Sequence, residues 1–340
     1  QTGGNNTAVG HESMTTNTSG GSNVAVGYQS LREQTTGSNN TGIGFQAVYA
    51  NTTANNNTGV GFNALLLNTT GGDNTAVGAY SLDSNTTASF NSAFGQAALA
   101  SNTTGASNSA FGQGSLRANT TANNNVAVGT NTLDANTTGS NNTAVGMNCL
   151  SANTTGTNNA AVGQASLAAN TTGGSNTALG RLALQVNTTA NNNTAIGYNS
   201  LASSTTGDQN TAVGSLALDA NSTGGLNCAM GVGALSANTT ASNNTGIGHT
   251  ALEATTTGAQ NTAVGGSSLK TNTTGQYNTA LGSNALRQNT TAANNTAVGS
   301  SASYNTTTGH SNVAVGTNAL YDHTTGNYNT CVGVSAGTNI

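Results

Sequence analysis

Apolar residues recur along this chain in two short bursts every 17 residues, and turn-forming polar residues fill the intervals between them. The punctuation is a glycine at 10, 27, 44 and 61, and onward at the same spacing to 316 and 333, without insertion or deletion. Cutting the chain before Gln1, Thr18, Thr35 and so on to Thr324 gives twenty blocks that span 1–340 as a single array. The consensus is Thr-Thr-Gly-x-x-Asn-Thr-Ala-Val-Gly-x-x-(Ala/Ser)-Leu-x-x-Asn. A unit this short cannot hold a helix pair, no 3.6-residue apolar period is present, and Asn, Thr and Gly are poor helix formers. Two apolar segments, Asn-Thr-Ala-Val and (Ala/Ser)-Leu-x-x, separated by turn chemistry, predict an all-β parallel β-solenoid, or β-roll. It has twenty 17-residue coils with two short strands in each. Stacked coils pair every strand with its equivalent one block on, in register, so that like positions form ladders.

Each position of the block can be compared across its copies. Position six is Asn in all twenty blocks (Asn6, Asn23, Asn142 and Asn329 among them) and position ten is always Gly (Gly10, Gly146, Gly333). Position eight is Ala in sixteen blocks, position nine is apolar but variable (Val145 is typical), and position fourteen is mostly Leu, as in Leu150. The invariant Gly implies a positive φ or close backbone approach. The Asn column implies amide-to-amide hydrogen bonds between coils. Charge pairs Arg117/Asp134 and Glu253/Lys270 fall in one column, exposed and worth well under ~1 kcal/mol each. Tyr28, Phe45 and Phe62 form an aromatic column. Adjacent apolar positions, eight with nine and thirteen with fourteen, make each strand apolar on both faces, the pattern of a sheet covered on both sides. The expectation is self-association, as a homotrimer or laterally packed filament, with these four positions divided between coil interior and chain interface.

Composition narrows the function classes. Charged residues are 4% and Pro is absent, the latter expected where every backbone N–H donates to a neighbouring coil. The fixed apolar positions argue against disorder. Net charge is −4 with five scattered basic residues, so no basic stripe exists to track nucleic acid. No run approaches the ~18 apolar residues of a spanning helix, so this segment does not insert in a membrane. The first residue is Gln1, which makes the chain a mature protein or a segment of something longer. His11, His249, His310 and His323 are scattered over variable, exposed positions, the acids are dispersed, and no cofactor or metal site is expected. No enzyme is expected either, because catalysis needs convergent groups and an acidic pair in a groove is not evident. Cys149, Cys228 and Cys331 lie too far apart for intrachain disulfides.

Position seventeen carries Asn in an N-x-S/T context at Asn17, Asn51, Asn68, Asn85, Asn102, Asn119, Asn136, Asn153, Asn170, Asn187, Asn221, Asn238, Asn272 and Asn289. Two readings stand: turn residues with local side-chain hydrogen bonds, or N-glycosylation acceptors coating one edge of the coil stack.

The Asn-Thr-Ala-Val-Gly-x-x-(Ala/Ser)-Leu phrase, at 142–150 and 261–269, resembles the head repeats of trimeric autotransporter adhesins. It is also similar to the Asn/Thr/Gly-rich repeats before self-cleaving chaperone domains in phage tail fibres. The resemblance spans the chain, although adhesin heads usually repeat at a shorter period and no coiled-coil stalk, anchor or chaperone domain is recognisable. It implies a trimeric parallel β-roll outside the cell, on a cell or virion surface. The expected function is a structural extracellular fibre, stalk or surface appendage, adhesive or glycan-displaying. The alternative is a ligand-binding adhesin or an ice-binding solenoid module. The last block departs from consensus at Cys331, Gly337 and Ile340, and block eighteen at Ser303, which predicts a fold that weakens toward the C-terminus. Block one is near consensus apart from Gln1 and Met14, which predicts that the array continues into further repeats there or joins another subunit end to end.

Overall fold

A 17-residue coil closes only if its turns are tight, and here four fixed positions per coil take a positive φ. Positions five, twelve and fourteen sit in the left-handed region, as at Asn141 (φ 61), Asn148 (φ 54) and Leu150 (φ 51), and the Gly of position ten lies further out, at φ 132 in Gly146. Between the turns one three-residue strand forms per coil, at positions seven to nine. The computed structural model describes residues 2–338, so the departures at Gln1 and Ile340 lie outside the described residues. No helix occurs among them.

The chain divides into two compact units, Gln1–Thr172 and Gly173–Ile340. In the first, strands β1 (Thr7–Val9) to β10 (Ala160–Val162) pair in parallel, each with its counterpart 17 residues along, from Thr7↔Val24 to Thr143↔Ala160. In the second, β11 (Thr177–Leu179) to β20 (Thr330–Val332) repeat the register, from Thr177↔Thr194 to Val313↔Thr330. Each unit is thus an all-β parallel solenoid with a 17-residue coil. Regular pairing continues into β20, so the expected weakening toward the C-terminus does not extend to the strand ladder. Ser303, in the Leu column, keeps the same conformation at φ 49.

The expected second strand is not formed. Left-handed residues at positions twelve and fourteen are incompatible with an extended chain, and they turn positions thirteen and fourteen to the same side. In coil nine Cys149 and Leu150 are both fully buried. The peptides nevertheless bond in register: Gln29 N–H donates back to His11 O (2.9 Å), while Leu31 N–H and Glu33 N–H donate forward to Ala47 O (3.1 Å) and Tyr49 O (3.0 Å). Inter-coil bonding therefore continues beyond the strands, through turns that are not sheet. A left-handed L-residue costs roughly 1–2 kcal/mol. Burying a Leu side chain gains about 1.5–3 kcal/mol, and the added hydrogen bond tips the balance toward the buried conformer.

The interior is lined by positions three, six, eight, thirteen, fourteen and seventeen. Asn142, Ala144, Cys149, Leu150 and Asn153 are all at 0% exposure. The division of apolar positions left open above is now settled for the single chain: eight, thirteen and fourteen point inward and only nine points outward. The second segment is not apolar on two faces. Replacing Leu150 with Ala is expected to lower stability by about 2–5 kcal/mol in urea denaturation, because it opens a cavity in a closed coil. Val145→Ala, on the outer face, is expected to cost less than about 1 kcal/mol.

Candidate functional site

Two stacked asparagine ladders dominate the interior chemistry. At position six, each backbone N–H donates to the side-chain oxygen of the preceding Asn, as Asn23 does to Asn6 Oδ1 (2.9 Å) and Asn142 to Asn125 Oδ1 (2.9 Å). Its Nδ2 reaches the position-three carbonyl of the following coil, Asn142 to Gly156 O at 2.9 Å. The relay reaches the last described coil, where Asn329 N–H bonds Asn312 Oδ1 at 2.9 Å. The expected Asn ladder is therefore present, and it links side chain to backbone as well as amide to amide.

The second ladder is position seventeen. Asn136 Nδ2 donates to Asn119 Oδ1 one coil back (3.0 Å) and to Gly139 O three residues on (2.9 Å). Asn153 repeats both bonds, to Asn136 Oδ1 (2.8 Å) and Gly156 O (3.0 Å). The position-three carbonyl thus accepts from both ladders. All fourteen N-x-S/T asparagines occupy this ladder: Asn17 is 4% exposed and the other thirteen 0%. A glycan on Nδ2 would have to displace the ladder and the core, so of the two readings the structure fits the hydrogen-bonding one. Gln34 substitutes by reaching Gly37 O with Nε2 (2.7 Å) while its Oε1 accepts from Asn51 (3.1 Å). His323, expected to be exposed, is instead buried in this column with Nε2 at 2.8 Å from Gly326 O.

Position ten meets both expectations at once. A Cβ on Gly146 would stand 2.7 Å from Gly163 O in the next coil, at a φ that side chains rarely adopt. Gly10 and Gly333 share that backbone, with φ 134 and 130.

Outside, positions seven and nine share one face of the sheet. Val145 is half-buried there and Val162 is 38% exposed, while Phe94 and Phe111 stack at 4.9 Å. Position eleven carries the expected aromatic column, extended by one ring: His11, Tyr28, Phe45 and Phe62 follow at 5.4, 5.1 and 5.0 Å. Position fifteen carries ion pairs, Arg117–Asp134 at 3.5 Å and Lys270–Glu253 at 3.1 Å. It also holds Arg287 over the Tyr304 ring at 5.6 Å and Tyr304 stacked on Tyr321 at 5.1 Å.

An open groove of about 640 Å³ in the second unit is lined by Leu216, Val232, Asp219, His249, Glu253 and Lys270, among others. It exists because Gly233 and Ser236 present little side chain between bulkier neighbours. It brings together two carboxylates that the sequence reading treated as dispersed. Burial pushes the Asp219 carboxyl above the usual range, and Glu253 is held by Lys270. Among the described residues no group of three His, Cys, Asp or Glu side chains is placed to hold a metal, and no helix is long and apolar enough to cross a membrane. All three cysteines are free, Cys149 buried against Ser166 Oγ at 3.0 Å.

Fold and geometry define the class, a parallel β-solenoid with asparagine-laddered coils. No protein-family model matches the chain, and no curated protein matches it.

Chain secreted from a glycosylation-competent host is expected to show no mass change on N-glycosidase treatment when folded. Asn136→Asp is expected to lower stability by about 1–3 kcal/mol, since it removes the donor to Asn119 Oδ1 and Gly139 O inside a closed coil. Denaturant midpoints of the two proteins check this.

Proposed function

We propose that this chain is a structural segment of an extracellular fibre or stalk, exposed on a cell or virion surface, which self-associates laterally through position nine. The observation that carries the reading is where the polar groups go. The asparagine amides, many threonine hydroxyls and the turn peptides are bonded between coils, as in Thr137 Oγ1 to Thr154 O at 3.0 Å. An architecture that commits its polar groups in this way offers rigidity and length, and few are left to converge on a substrate. The groove at Asp219 does not alter this, because one of its two carboxylates is already ion-paired.

The outward apolar column supports self-association. Ile43, Phe94, Phe111, Leu179, Met230 and Leu281 are each 37–48% exposed along it. A row of apolar side chains on a flat strand face is a surface that another chain covers well. A homotrimer or a packed filament would bury it, and the resemblance to adhesin heads favours three chains. Variation in side-chain size counts against ice binding: Thr hydroxyls project from position seven in many coils, but Ser92, Ser109 and Cys228 interrupt that column beside the bulky Phe94, Phe111 and Met230.

Sedimentation equilibrium at micromolar concentration is expected to give an oligomer for the natural chain. Val145→Asp with Val162→Asp is expected to yield folded monomer with an unchanged far-ultraviolet spectrum, since both positions lie outside the core. A natural chain that is monomeric under these conditions counts against lateral association. Absence of thermal hysteresis would set the ice-binding alternative aside.

A further inference from the structure

The position-seventeen ladder is interrupted in the second unit by Ser204, Thr255 and Thr306, three coils apart each time. All three side chains are fully buried, and none of their hydroxyls has a protein partner. The defect reaches their neighbours. Asn238 Oδ1 and Asn289 Oδ1, which precede Thr255 and Thr306 in the column, are buried and unpaired. In the unbroken ladder the same atom accepts a hydrogen bond from the next coil, as Asn221 Oδ1 does from Asn238 Nδ2 at 2.9 Å. Beside Ser204 it is Asn193 Nδ2 that lacks a partner. The ladders place that group and Ser204 toward one carbonyl, Gly207 O, just as Asn210 and Asn221 both bond Gly224 O at 2.9 Å.

A hydroxyl on Cβ is one atom shorter than the carboxamide it replaces. It cannot span to the preceding amide oxygen and also supply the following coil. What remains at each break is a cluster of buried polar atoms without protein partners, and a buried water needs two to four such partners. At Thr255 these are Asn238 Oδ1 as acceptor, the Thr255 hydroxyl, and the second proton of Asn272 Nδ2, whose first goes to Gly275 O at 3.0 Å. At Ser204 they are Asn193 Nδ2, the Ser204 hydroxyl and Gly207 O. At Thr306 they are the hydroxyl and Asn289 Oδ1. We propose that each break is a built site for one buried water molecule, which completes the ladder where a side chain falls short. The wetted sites recur every third coil.

A crystal structure of the whole chain that resolves ordered solvent tests this. Water within hydrogen-bond distance of Thr255 Oγ1 and Asn238 Oδ1, and of Thr306 Oγ1 and Asn289 Oδ1, is expected, with none beside Asn119 and Asn136, where the ladder is continuous. A direct Thr255 Oγ1 to Asn238 Oδ1 hydrogen bond with no solvent density overturns the proposal. Two variants give a solution readout. Thr255→Asn is expected to restore the amide relay, expel its water and raise the melting temperature. Thr255→Val, similar in shape but without the hydroxyl, is expected to lower it. A Val variant as stable as the natural chain overturns the proposal as well.

Discussion

A carboxamide sealed inside a coil must find its hydrogen-bond partners among other sealed groups, and here those partners sit in its own copies one coil away. That constraint governs the rest of the structure. Asn142 accepts from Asn159 and donates to Gly156 because those residues arrive at the same height in the next coil. One inserted residue anywhere in a block would shift every later side chain out of this register. The uninterrupted 17-residue spacing is therefore the chemical condition for keeping two columns of amides dry. Proline is excluded for the same reason, since each turn peptide that donates forward or back is part of the same closure.

The fold class was legible because a period is a global signal and survives any misreading of a single element. The second strand was misjudged for a local reason. Alternation of apolar and polar residues predicts side-chain direction only in an extended backbone. Leu150 at φ 51 is not extended, and nothing in a leucine announces a left-handed conformation. The neighbouring positions did carry a trace: Asn recurs at five and twelve and Gly stands at twelve in Gly114 and Gly233, residues that tolerate positive φ. Leu at fourteen is held there by the bond to the next coil and by burial, which are tertiary effects.

The asparagines were legible in part. Position six, flanked by the apolar strand, read as interior. Position seventeen, flanked by threonines, read as a turn, and the N-x-S/T pattern reinforced that. Asn136 bonds Gly139 three residues on, but its other partners, Asn119 and Asn153, are seventeen residues away on either side, beyond any local window. Recurrence alone did not mark it as interior, because position two is Thr in every block but one and is nevertheless exposed, as at Thr36 and Thr70. His323, placed where an Asn belongs, bonds the same carbonyl.

The coil also inverts the usual disposition of polarity. Amides and hydroxyls fill much of the inside, and branched and aromatic side chains stand outside at position nine. Inside, ladder geometry satisfies the polar groups, so their burial is not penalised as isolated groups would be. Outside, no such geometry rewards Val, Ile or Phe, and the strand propensity of these residues does not require them to be large: Ala would keep the sheet. Phe94 and Phe111 on adjacent coils do more than the strand needs, since the rings stack on each other and still leave more than a third of their surface uncovered. A column that stays apolar through nine changes of flanking sequence in each unit, without any interior demand, is best explained by an exterior one. In the proposed assembly position nine would be that surface, because another chain with the same column in the same register would meet it without a mismatch at any coil.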